Sequence, residues 1–211
     1  MKREEISIRL ASVTLKGELV HPENALGIVV FSHGSGSSRF SPRNKMVAEL
    51  IQQHGMGTLL FDLLTEQEDR IYENRFNIDL LVSRLIEATE WLMNNKDTQK
   101  YPVAYFGAST GAASALRAAA YFEKKIKAVV SRGGRPDLAL KALPMVTAPT
   151  LLIVGQLDVP VIQMNKQAFD QLHCIKEMKI IPGATHLFEE PGKLIEVAEM
   201  AISWYKEYFI K

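Results

Sequence analysis

The chain has 211 residues, 47% hydrophobic and 23% charged, with 25 basic against 24 acidic side chains and a net charge of +1. That balance offers no charged surface suited to nucleic acid or to an anionic membrane, so neither is an expected partner. No run approaches ~18 uninterrupted apolar residues, and the single cysteine, Cys174, excludes an internal disulfide and a cage of thiolates around zinc.

The first residues, MKREEISIRLASVTLKGEL, alternate polar and apolar side chains and lack the apolar core of a signal peptide, so a cytoplasmic protein is expected. Period-two alternation over residues 6–20, broken near Ala11-Ser12, predicts two antiparallel strands. Residues 26–31, LGIVVF, are all apolar, as in a strand covered on both faces. Pro42 suits a first helical turn, and the helix continues to about residue 53. A strand is expected at 57–61, and the apolar spacing over 78–93 predicts an amphipathic helix. Further strands are expected at 103–106, 126–130, 150–154 and 178–181. Helices are expected at 111–121, 137–143, 161–172 and 194–209. Strands alternating with helices predict an α/β protein with a mostly parallel, doubly wound sheet and an antiparallel N-terminal hairpin. With no repeat and no Gly-, Pro- or Ser-rich linker, residues 1–211 read as a single domain.

Ligands of such sheets bind at the carboxyl ends of the strands. Four loops there carry unusual residues: HGSG at 33–36, GASTG at 107–111, GQLD at 155–158 and GATH at 183–186. Together they offer the parts of acyl transfer. Ser109 is the candidate nucleophile, His186 the base that takes its proton, and Asp158 the carboxylate that orients the imidazole. Asp137 is the alternative acid. The backbone N–H groups of Ser35 and Thr110 are candidate oxyanion donors, with Gly34 and Gly36 as rivals to Ser35. Thr110 would open a helix, so its N–H is free to meet negative charge. Gly107 and Gly111 relieve crowding around a sharp turn that lifts Ser109.

These residues resemble a small α/β-hydrolase, closest to the dienelactone hydrolase branch. HGSGSS, GASTG, GQLD and GATHLF match in the order Ser, Asp, His, which is that fold's order, and the likeness spans the chain from about residue 6. It implies an α/β-hydrolase fold and hydrolysis of an ester, lactone or thioester without a cofactor. The branch proper uses a cysteine nucleophile. Serine at 109 therefore argues against dienelactone itself as the substrate. HGSGSSRFSPRN with SRGGRPD also resembles hydrolase domains sometimes fused to phosphoribosyltransferases, a second domain for which 211 residues leave no room.

The segment between the strands ending near 130 and starting near 150 is short, which predicts an open site with minimal or no cap. Arg39 and Arg132 lie in the same loops and are candidates to hold an anionic group on a small substrate. His33 is read mainly as holding the oxyanion loop, with substrate contact as a second role. No clustered carboxylates or paired histidines suggest a metal, and the glycine-rich loop lacks the Lys-Ser/Thr of a phosphate-binding loop. A homodimer is left open. Two rival classes remain: an acyltransferase, peptidase or haloperoxidase on the same fold, and a non-catalytic binding protein. Acceptor specificity separates the first, and failure to react with serine-directed reagents would favour the second.

Overall fold

The computed structural model describes residues 1–210. Two strands, β1 (Lys2–Arg9) and β2 (Thr14–His21), form an antiparallel hairpin with Ile6 opposite Gly17. β2 pairs antiparallel with β4 (Gly57–Phe61). The remaining neighbours run parallel: β4 beside β3 (Ile28–Ser32), then β5 (Val103–Ala108), β6 (Ile126–Arg132), β7 (Thr150–Gly155) and β8 (Lys176–Ile181). The order across the sheet is β1-β2-β4-β3-β5-β6-β7-β8. The helices are α1 (Pro42–Gln53), the single turn α2 (Glu66–Asp69), α3 (Ile78–Asn94), α4 (Thr110–Phe122), α5 (Val159–Gln171) and α6 (Lys193–Ile210).

Every residue of β3, β4, β5 and β7 is buried. Alternate side chains along a strand face opposite ways, so an all-apolar strand needs cover on both sides. Val30 and Tyr105 pack into one layer with Leu85 of α3, Leu116 of α4 and Ala168 of α5. Val29 and Phe106 pack into the other with Val47 of α1 and Tyr205 of α6. The hydroxyls of Tyr105 and Tyr205 in these layers are satisfied. Tyr105 shares a 2.8 Å bond with Thr89, and Tyr205 donates to the Tyr105 carbonyl at 2.8 Å.

Two local readings change. The helix expected at 137–143 is two 3-10 turns, Pro136–Ala139 and Leu143–Met145. Each turn carries a proline near its start, Pro136 in the first and Pro144 in the second. α2, in turn, was not anticipated. Thr65 Oγ1 accepts from the Glu68 N–H at 3.2 Å, and Glu68 Oε2 accepts from the Thr65 N–H at 2.9 Å, a reciprocal capping box legible in the sequence TEQE. The β6–β7 connection carries only the two 3-10 turns, so no lid domain covers the strand ends there.

Candidate active site

β5 ends at Ala108 and α4 begins at Thr110, so one residue, Ser109, reverses the chain. Its φ of 52° and ψ of −124° lie where L side chains are rare. The turn is held from three sides. The Ser109 N–H donates to the Arg132 carbonyl at 3.2 Å, and its own carbonyl accepts from Ala112 at 3.1 Å and Arg135 at 3.0 Å. The flanking glycines are sterically required. A Cβ on Gly107 would stand 2.5 Å from Ala112 Cα, and one on Gly111 would stand 2.1 Å from the Ser32 carbonyl oxygen.

Asp158 precedes α5 and His186 follows β8. Their loops pack closely, since a Cβ on Gly155 would meet the Ala184 carbonyl at 2.4 Å. His186 Nδ1 lies 2.6 Å from Asp158 Oδ2. That bond fixes the tautomer with the proton on Nδ1 and leaves Nε2 as an acceptor. Asp137 is occupied elsewhere, in a two-pronged pair with Arg135 at 2.9 and 2.8 Å. His186 rests on Gly133, whose Cβ, if present, would lie 3.5 Å from Nδ1. Ser109 is bonded to the carbonyl of Arg132, the residue before. Nucleophile and base candidates therefore meet at the end of β6. Among the described residues no hydrogen bond joins Ser109 Oγ to His186. Such contacts often tighten only in the substrate complex.

The loop after β3 abuts the turn. A Cβ on Gly34 would sit 3.0 Å from Ser109 Cβ, so only glycine lets the backbone approach. Ser35, expected as an oxyanion donor, is engaged in this structure. Its N–H is not free but donates to Thr110 Oγ1 at 2.8 Å. To meet an oxyanion it must exchange or share that bond. His33 is corrected as a substrate contact. Its ring is buried, Nδ1 faces the Gly34 carbonyl at 3.0 Å and Nε2 accepts from the Leu63 N–H at 3.1 Å. Both nitrogens are committed to the loops, and burial pushes the imidazole pKa down.

Neither arginine is an open anion clamp. Arg39 is neutralised by Asp62, which takes both its guanidinium and, at 2.8 Å, its backbone N–H. Arg132 is only 5% exposed, with its guanidinium 3.4 Å from Asn44 Oδ1 and 5.9 Å from the Phe188 ring centre. Burial, and then the charge of Arg43, lower its pKa to about 10. Among the described residues no cluster of His, Cys, Asp or Glu could hold a metal ion, and no helix is long and apolar enough to cross a membrane.

Residues 15–208 match the Dienelactone hydrolase family. The chain belongs to that family. A crystal structure of a dienelactone hydrolase from Anabaena variabilis is 56% identical, with a TM-score of 0.95 over 98% of both chains. Est1E from Butyrivibrio proteoclasticus shares the fold at 15% identity, with a TM-score of 0.81 over 98% of this chain and 99% of that one. The Mycobacterium tuberculosis protein "Putative phosphoribosyl transferase Rv0571c" is 51% identical over 208 residues, which is 99% of this chain and 47% of that protein. This chain thus spans about half the length of the curated relatives it matches. The fold is that of the α/β-hydrolases.

Proposed function

We propose that the protein is a serine hydrolase acting on a small carboxylic ester, lactone or thioester through an acyl-enzyme. The observation that carries this reading is the backbone of Ser109. Its φ of 52° and ψ of −124° are closely matched by Glu123 at the other end of α4, so the strain counts here because it falls between β5 and α4, on the rim that also carries the His186–Asp158 pair. Keeping a side chain there costs on the order of 1–3 kcal/mol.

In this reading Ser109 Oγ attacks the acyl carbon while its proton passes to His186 Nε2. Asp158 holds the ring and stabilises the imidazolium. The N–H of Thr110 and that of Ser35, released from Thr110 Oγ1, receive the tetrahedral oxyanion. Collapse breaks the bond to the alcohol or thiol, which leaves with the proton from His186. Water then attacks the acyl-enzyme, gives its proton to His186, and the acid departs as Ser109 recovers its hydrogen. No charge on the substrate is required, since Arg39 is already paired. The transferase name belongs to proteins about twice as long, taken whole. The half of each that matches is the half aligned with this hydrolase-family chain.

The test is intact-protein mass spectrometry after exposure to a fluorophosphonate. One phosphonyl group on the wild type and none on Ser109→Ala is the expected result. A folded wild type that takes no label would sink the reading.

A further inference from the structure

A cavity of about 710 Å³ does not open on Ser109, Asp158 or His186. It is walled by the start of β2, the loop after His33 and the segment from Asp62 to α2. β4 stands two places from β5 in the sheet, with β3 between. Neighbouring strands lie about 4.8 Å apart, which sets this cavity roughly 10 Å to the side of the strand that presents Ser109. The partition is the turn His33-Gly34-Ser35. It lines a narrow gap beside Leu64, and the same Gly34 touches Ser109.

The walls have a definite chemistry. Leu15 and Leu64 are buried and make an apolar floor, joined by Val13 and the exposed ring of Phe40. Most charges at the rim cancel locally. Arg39 pairs with Asp62, Arg75 with Asp69 and Arg84 with Glu68. Among the described residues that leaves one cation, Lys16, and one anion, Glu66, without an ion pair. Thr14, Ser37 and Gln67 add polar residues to its lining. An anionic ligand would meet four carboxylates, Asp62, Glu66, Glu68 and Asp69, with most cations already engaged. The volume falls in the range of small-molecule sites, roughly 300–1,000 Å³.

We propose that this cavity is a binding site for an uncharged amphiphile with hydroxyls along one side and an apolar body, the chemistry of a short alkyl glycoside. The site is separate from the acyl-transfer centre and does not depend on the reaction assigned to Ser109. Such a ligand has two sources: the distal half of a long substrate, or an independent molecule.

The test titrates hexyl β-D-glucopyranoside into the full chain by calorimetry, with hexyl phosphate as the anionic counterpart. Thr14→Trp and Gln67→Trp each place an indole in the cavity, and thermal melts followed by circular dichroism verify that both fold. Saturable one-to-one binding, weakened at least tenfold in both variants and at least tenfold tighter than hexyl phosphate, is expected. No saturable binding, equal affinity in the folded variants, or equal affinity for the phosphate overturns the proposal. A second arm follows hydrolysis of 4-nitrophenyl acetate. Competitive inhibition by the glycoside assigns the cavity to the distal half of a substrate, and non-competitive or absent inhibition assigns it to an independent ligand. Both leave the site standing. If the ester is not cleaved, the serine-hydrolase reading suffers while the titration still decides the cavity.

Discussion

The backbone N–H of Ser35 donates to the side-chain oxygen of Thr110 across 2.8 Å. One of the two N–H groups assigned to the oxyanion is thus engaged by the side chain of the residue that supplies the other. Breaking a neutral hydrogen bond costs about 1 kcal/mol net, and each 1.36 kcal/mol on a barrier is about a tenfold change in rate. Thr110→Val keeps the volume and removes the acceptor. We expect fluorophosphonate labelling and ester turnover to rise by up to about fivefold, with a slightly lower melting temperature. A fall in labelling rate would mean that the Thr110 hydroxyl holds the loop in its working position.

Asp158→Asn removes the charge facing His186 Nδ1 at 2.6 Å and lets the ring carry its proton on the wrong nitrogen. The expected loss in kcat is about 10³- to 10⁴-fold, with KM little changed. Asp137→Asn, which breaks only the partly buried pair with Arg135, should leave kcat within about threefold, a loss under about 1 kcal/mol. Equal losses in the two variants would contradict the assignment of the acid.

The turn that presents Ser109 should cost stability. Ser109→Gly relieves strain of about 1–3 kcal/mol and adds about 0.5–1 kcal/mol of unfolded-chain entropy. The inactive Ser109→Gly protein should therefore be more stable to urea than Ser109→Ala, which keeps the strain. An Ala variant as stable as the Gly variant would show the backbone to be relaxed.

Gly111→Ala puts a methyl 2.1 Å from the Ser32 carbonyl oxygen, a backbone atom that cannot rotate away. We expect a loss of about 3 kcal/mol or more, measured by urea unfolding. Gly55→Ala has open space around it and suffers only from its φ of 78°, so a loss of about 1–2 kcal/mol is expected.

His33 predicts a pH dependence. Its folded pKa is lowered, chiefly by burial. The neutral ring is the form the fold accepts, because a proton on Nε2 would confront the Leu63 N–H. Its contribution is therefore fully present above the unfolded pKa of about 6.5 and is lost as pH falls toward the folded value. Melting temperature should drop between pH 7.5 and 5. His33→Gln keeps an acceptor that does not titrate and should flatten the drop. An unchanged slope would place the acid sensitivity elsewhere.

The sheet was legible because burial writes itself into sequence. Runs such as IVVF and LLIV need cover on both faces, and the glycines at 107 and 111 declare a crowded turn around a serine. The order Ser109, Asp158, His186 and the position of each after a strand were likewise readable, because chain order and loop chemistry are local. Strand and helix limits shifted by only a few residues, and the segment 137–143 is split between two 3-10 turns.

Sequence could not show which polar groups meet. Arg39 reads the same whether it faces solvent or Asp62, and Arg132 gives no sign that Phe188 covers it. The Ser35 N–H is spoken for by a hydroxyl 75 positions away. The large cavity joins residues from β2, the loop after β3 and α2, which come together only when β2 pairs with β4. Local propensity and periodicity thus determined the elements and the chemistry at their ends. Partner choice among buried charges and the shape of empty space depend on contacts between distant segments, and only the packed sheet decided them.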